Sequence, residues 1–283
     1  MNKPVTSPAA EVRTTPAHDA RTRRLLEGPI LPTLLRLAAP NMGEAAARVA
    51  FIACDAWFVS WLGTEALAAI AIVFPLFLIT QMISAGGLGA GVAAAVARAV
   101  GGGRTDDARR MAGQGLLLAL ICAAAIAGGM IGFGAPLFRL MGAEGAVLQQ
   151  ALVYSGLVFG GGFAVWLMNV SANILRGTGN MAVPAGAIVV GEVAHLLLSP
   201  ALILGWGPFP ELGIAGAGIG VLAAYGIGSV ILIGYLLAGR ALLRPGWRDL
   251  LPHGPSLKPI LALVTAQSLS LGLALEEGSP TRA

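Results

Sequence analysis

The sequence predicts an all-α integral membrane protein: a six-transmembrane-helix bundle followed by a short partial seventh helix. Three observations predict it. Hydrophobic residues make up 56% of the 283 and charged residues only 11%, well below the ~25% charged share of an average soluble domain. The apolar residues gather in stretches long enough for the roughly 20 helical residues that cross ~30 Å of hydrocarbon. Those stretches are rich in Ala, Leu and Gly and lack period-2 alternation, which favours helices over barrel strands.

In chain order, residues 1–27 are polar with no apolar core, and read as a disordered tail rather than a signal peptide. The spans follow at about 34–62, 64–98, 112–135, 147–175, 182–205 and 214–238. Together, 28–240 form a six-helix lobe, 241–257 a loop, and 258–283 a truncated seventh helix (apolar over 258–275) with its tail. The first span has Pro40 near its start. The second carries Pro75, which predicts a kink, and is too long for one perpendicular crossing. Its end, Gly86 to Gly91, reads as a close-packing surface, with a hinge as the alternative. In the 101–111 segment, Thr105 is the expected helix cap, with Asp106 and Asp107 near the positive helix end. Trp206 and Phe209, in the turn before the sixth span, suit a membrane interface. Gly-x-x-x-Gly spacings at Gly87/Gly91, Gly128/Gly132, Gly156/Gly160 and Gly216/Gly220 support tight helix contacts without specifying a dimer face. Cys54 and Cys122 fall inside spans and read as small core residues.

Charge sets the orientation. Lys3, Arg13, Arg21, Arg23 and Arg24 precede the first span. Arg98, Arg104, Arg109 and Arg110 separate the second from the third. Arg176 follows the fourth, and Arg240, Arg244, Arg248 and Lys258 follow the sixth, whereas the opposite gaps hold only Arg139. The positive-inside rule puts the N-terminus and the 241–257 loop in the cytoplasm. It also accounts for the pI of about 9.6 without a nucleic-acid partner.

Several chemistries find no support. Residues 177–182 fit a loose dinucleotide fingerprint, but no strand precedes them and no acid follows at the usual spacing. There is no Gly-Lys-Ser/Thr phosphate loop, Cys-x-x-Cys or His-Glu-x-x-His, and His18, His195 and His253 are scattered. The expectation is a protein that is not an enzyme, with no cofactor and no metal site.

Ionisable groups inside hydrocarbon cost roughly 2.5–3.5 kcal/mol at a helix centre, so they mark function or pairing. Glu44, Arg48 and Asp55 share one stripe of the first span at about 100° per residue. Glu44 and Arg48 are spaced to pair, leaving Asp55 as the carboxylate able to load and release a proton. A static network holding the helix to its neighbours is the other reading. Glu192, His195 and Ser199 share a face of the fifth span, as a proton relay or cation contact, or as a polar pair bridging packed helices. Gln81, Tyr154, Asn169, Ser171 and Asn173 read as interhelical hydrogen-bonding residues.

Four motifs carry a resemblance. Leu37-Ala-Ala-Pro40 followed by CDAWFVSWLGTEALAAIAI from Cys54 to Ile72 is similar to the "VDT-hydrophobic-LG-x-x-ALAA" signature of multidrug and toxic compound extrusion (MATE) transporters. Leu175 to Pro184 is similar to "LRGxGDTxxP", with Asn180 where Asp is usual. Leu198 to Gly205 resembles "LDPxLIFG", and Leu212 to Gly220 resembles "LGVxGAAIAT". The resemblance covers about residues 28–260.

It implies one six-helix lobe of a twelve-helix inner-membrane antiporter. Such a protein exports small amphipathic or cationic molecules by alternating access, driven by H+ or Na+. Asp55 matches the family's helix-1 carboxylate, which is linked to cation coupling. The fifth span departs from the pattern: His195 and Ser199 stand where many members have Asn and Asp, and Glu192 is the expected replacement carboxylate. Nothing corresponds to a second lobe. The chain therefore reads as a truncated N-terminal half, with self-association or pairing with a second lobe as the alternative. An inactive membrane fragment is another reading. A lipid-linked precursor flippase ranks lower, because Arg48 is the only Lys or Arg well inside a span.

Overall fold

The structure, a computed structural model, describes residues 30–238 and 241–250, except for part of the side chains of the first helix and those of Trp247 and Arg248. The predicted tail 1–27, the end of the predicted loop and the predicted seventh helix at 258–275 lie outside the described residues. The chain divides into two units after Ala39. Of the first unit only the opening turns of one helix are described, and the second unit, Pro40–Ala283, holds everything below.

All the regular structure among the described residues is helical. The helices are α1 (Ile30–Ser60), α2 (Thr64–Gln81), a π-helical segment (Met82–Gly89), α3 (Ala90–Gly101), α4 (Thr105–Leu140), α5 (Gly145–Gly160), α6 (Phe163–Gly177), α7 (Ala182–Leu204) and α8 (Ile214–Leu237). A short 3-10 turn, Trp247–Leu250, follows.

Four stretches are long and apolar enough to cross a membrane: Thr64–Gly101, α4, α7 and α8. The bent pair α5 and α6 makes a fifth. The remaining predicted span is α1, 31 residues long, whose Arg36, Glu44, Arg48 and Asp55 lower its apolarity.

Local structure corrects three expectations. Pro75 sits inside α2 without ending it, and a π segment follows over the glycine-dense 82–89. The predicted 147–175 span is two helices meeting at 42°. The bend lies in Gly160-Gly161-Gly162, where a Cβ at Gly161 would stand 2.5 Å from Leu222. The predicted 112–135 span begins at Thr105, so the amphipathic turn is its first turn. Thr105 is not the cap, since Arg104 holds that position with no side-chain cap bond. Asp106 and Asp107 do lie in that first turn, at the positive end of the helix dipole.

Small residues set the packing. α7 and α8 pack most extensively. A Cβ at Gly191 would stand 2.6 Å from the Ala224 carbonyl, and one at Gly216 2.5 Å from the Leu202 backbone. Two apolar clusters fill the bundle. One centres on Val92, Trp166, Ile174 and Leu232, and the other on Val73, Phe138, Tyr154 and Ile203.

Candidate functional site

The polar groups of the bundle converge on Tyr225, a residue of α8 that helical spacing and charge do not single out. It is 6% exposed. Its hydroxyl accepts hydrogen bonds from Gln81 Nε2 and from Arg48, and Glu192 acts on it electrostatically. A phenol oxygen with its lone pairs so engaged still has one proton to donate. The ring meets Phe77 edge-on, with centroids 6.2 Å apart. Tyr225 thus joins α1, α2 and α8, and brings together Arg48 and Glu192, one residue from each of the two charged clusters that the sequence places on separate helices.

Gln81 ends α2 where the π segment begins. Its Oε1 accepts from Asn169 Nδ2 at 2.7 Å, and the same amide reaches Ser84 Oγ at 2.8 Å. One turn on, Asn173 donates to the Asn169 carbonyl at 2.9 Å and to the Ala85 carbonyl at 3.3 Å. The Ala85 carbonyl also closes the π turn by accepting from the Ala90 N–H, so the Asn173 amide adds a second bond to it. Gly89 is what admits Asn173, because a Cβ there would stand 2.5 Å from its Nδ2. The hydrogen-bonding expectation holds for Gln81, Asn169 and Asn173. For Ser171, fully buried on the same helix, no partner appears among the described residues.

Glu192, His195 and Ser199 are all buried along one face of α7. That face meets α8: a Cβ at Gly220 would lie 3.0 Å from Ser199 Cβ and 3.3 Å from His195 Cε1. Small residues on α8 therefore let the polar stripe of α7 sit against its backbone.

Beside the polar network lies a cavity of about 250 Å³. Ile52, Ala56 and Val59 of α1, Phe74 and Phe77 of α2, and Tyr154 of α5 line it. Apolar walls with few polar groups characterise small-molecule pockets. Phe77 belongs both to the cavity wall and to the Tyr225 contact. The backbone position of Asp55 falls on the α1 stripe of Ile52, Ala56 and Val59. Its side chain, like those of Glu44 and Cys54, lies outside the described residues. The expected Glu44–Arg48 pair therefore goes undescribed, and Arg48 is seen to bond to Tyr225.

The signal for Tyr225 was present in type only. It is one of three tyrosines in the chain, set among small residues in an uncharged span, and only its partners distinguish it.

Comparisons with known proteins agree with the helical fold. The MatE family model matches residues 40–201, more than half of the chain. An FAD transporter of Shewanella oneidensis is 37% identical over 213 residues, covering 75% of this chain and 47% of the relative. A probable multidrug resistance protein NorM of Deinococcus radiodurans is 32% identical over 246 residues, covering 86% and 52%. Among solved structures, an outward-facing multidrug resistance MATE family transporter of the MOP superfamily superposes with a TM-score of 0.76 at 32% identity, over 83% of this chain and 51% of that one. The chain spans about half the length of the relatives it matches.

Proposed function

Because the chain belongs to the MatE family, a family of membrane transporters, we propose that it forms the N-terminal lobe of a cation-coupled exporter of small molecules in the inner membrane, with its N-terminus cytoplasmic. The observation that carries this reading is the meeting of Arg48, Gln81 and Glu192 at Tyr225 beside an apolar cavity. Charge in the membrane interior is costly unless it is paired or faces water. A charged network against an apolar pocket lets the charge state of one govern the shape of the other.

In this reading Asp55, Glu192 and His195 take up H+ or Na+. Arg48 and Ser199 support them, through Tyr225 and against α8 respectively. The substrate, a small amphipathic or cationic molecule, occupies the cavity lined by Tyr154 and Phe77. Loading a cation neutralises carboxylates near α1 and changes how α1 packs on α2 and α8. A ligand moves such an equilibrium only by its different affinity for the two packings. Cation and substrate must therefore prefer opposite states.

The Shewanella relative favours a second reading, in which the exported molecule is a flavin dinucleotide. A flat aromatic ring suits the Phe74 and Phe77 wall, and Arg48 offers a cation to a phosphate.

The test grafts residues 40–238 into the Deinococcus relative and follows efflux from an efflux-deficient bacterium. A cationic dye and FAD are assayed separately. Efflux that is lost with Asp55→Asn and with collapse of the H+ or Na+ gradient is the expected result, and the substrate that moves decides between the readings. Efflux indifferent to Asp55→Asn, to Glu192→Gln and to both gradients would end the proposal.

A further inference from the structure

The chain does not simply leave the bundle at the end of α8. Residues 241–250 turn back and lie against the arginine-rich start of α4. Four observations describe how they are held. Asp249, 9% exposed, accepts from the Gly246 N–H at 2.8 Å and faces Arg109 Nε at 3.2 Å. The Asp249 carbonyl accepts from Gln114 Nε2 at 2.8 Å, and Gln114 is 1% exposed. Leu243, 2% exposed, joins the apolar cluster of the bundle. Gly113 makes the contact sterically possible, since a Cβ there would stand 2.4 Å from the Asp249 carbonyl oxygen and 2.6 Å from its carbon.

These contacts differ in kind from a loop resting on a surface. The 3-10 turn is closed on itself by the Asp249 carboxylate. The same residue offers α4 an ion pair at its carboxylate and accepts a buried amide bond at its carbonyl. Main chain touches main chain at a glycine, with no flexible side chain between to absorb a change. Because α4 has 36 residues, at 1.5 Å each it is about 54 Å long against ~30 Å of hydrocarbon. Its charged start at Arg104–Arg110 therefore projects from the membrane. The strap binds on that projecting part.

We propose that residues 241–250 are a docked strap that moves the chain's point of departure from the end of α8 to the start of α4. The strap thereby ties the end of α8 to the start of α4 through Asp249. This docking is a property of the chain's own packing and is independent of what is transported.

Limited trypsin digestion of the purified 283-residue chain in detergent micelles tests it, with cleavage after Arg248 timed by mass spectrometry, since Pro245 blocks cleavage after Arg244. Gly113→Ala is the incisive variant. In a helix interior alanine is by itself the better helix former, so any loss must come from the strap. The wild type should be cut slowly at that site. Gly113→Ala and Gln114→Ala should be cut about tenfold faster, as cleavage follows the population of the undocked form. Gly128→Ala, on the same helix with nothing within 4 Å of the added Cβ, should match the wild type, and helicity by circular dichroism should be equal in all four. Wild type cut as fast as Gly113→Ala would overturn the proposal. Equal rates in wild type and Gly113→Ala at slow cleavage would overturn it too, since the strap would then not rest on that glycine.

Discussion

Tyr225 shows what a single buried hydroxyl does in an apolar bundle. Gln81 and Arg48 both donate to it. Tyr225→Phe keeps the ring and its contact with Phe77 but leaves two donors without their acceptor. One of those is a guanidinium, for which losing a hydrogen bond costs about 1.5–3 kcal/mol. Asn173→Ala removes longer, neutral bonds, one within its own helix at 2.9 Å and one to the Ala85 carbonyl at 3.3 Å, and interhelical bonds average about 0.6 kcal/mol in membranes. Reversible unfolding in mixed micelles should therefore rank Tyr225→Phe as the more destabilising change. The reverse order would mean that the hydroxyl is not the junction of the network. The same residues show how far sequence reaches at this scale. The stripe of Arg48 and the polar face of α7 were legible because helical spacing puts residues on one face. The bond from Arg48 to Tyr225 was not. Sequence offers only near neighbours such as Glu44, whereas Tyr225 lies on α8, far along the chain.

At the scale of elements, glycine spacing was legible and its use was not. Of the four Gly-x-x-x-Gly spacings, Gly128/Gly132 and Gly156/Gly160 have nothing within 4 Å of an added Cβ, whereas Gly216/Gly220 both lie against α7. Only a neighbouring helix distinguishes them, and the neighbour is a tertiary fact. Two opposite outcomes follow. Gly216→Ala drives a methyl into the Leu202 backbone, which has no rotamer to yield, and should cost about 1–3 kcal/mol by overpacking. Gly156→Ala meets open space and should be neutral, or stabilising by up to about 1 kcal/mol through lower backbone entropy in the unfolded chain. Thermal unfolding of both variants in one detergent reads the difference, and similar losses in both would contradict the α7–α8 packing. The π segment and the 42° bend between α5 and α6 were hidden in the sequence for a related reason. Runs of glycine permit many backbone paths, and the side chains of Asn173 and Leu222 select one.

At the scale of the whole molecule, the arrangement of charge makes a claim that helix packing cannot. The Arg-rich loop before α4 and the turn between α7 and α8 lie at opposite ends of spans, and the positive-inside rule assigns the first to the cytoplasm. Both ends carry exposed positions suited to a probe: the Asp106 side chain is 83% exposed, and Glu211 is exposed in the turn after Gly205. With Cys54 and Cys122 replaced by alanine, Asp106→Cys and Glu211→Cys each give one reactive thiol. In intact cells a membrane-impermeant maleimide should label Glu211→Cys and spare Asp106→Cys, and both should label once the membrane is opened. α7 and α8 enter and leave the membrane beside that turn, so the pattern orients the pair and, with it, the Glu192 to Ser199 stripe. Reversed labelling would invert the lobe. The basic residues would then face outward, and a cation arriving from outside would meet Arg98, Arg104 and Arg109 first. Labelling at both positions before opening would mean that these helices do not cross as paired spans, which removes the ground for placing the Tyr225 network inside hydrocarbon at all.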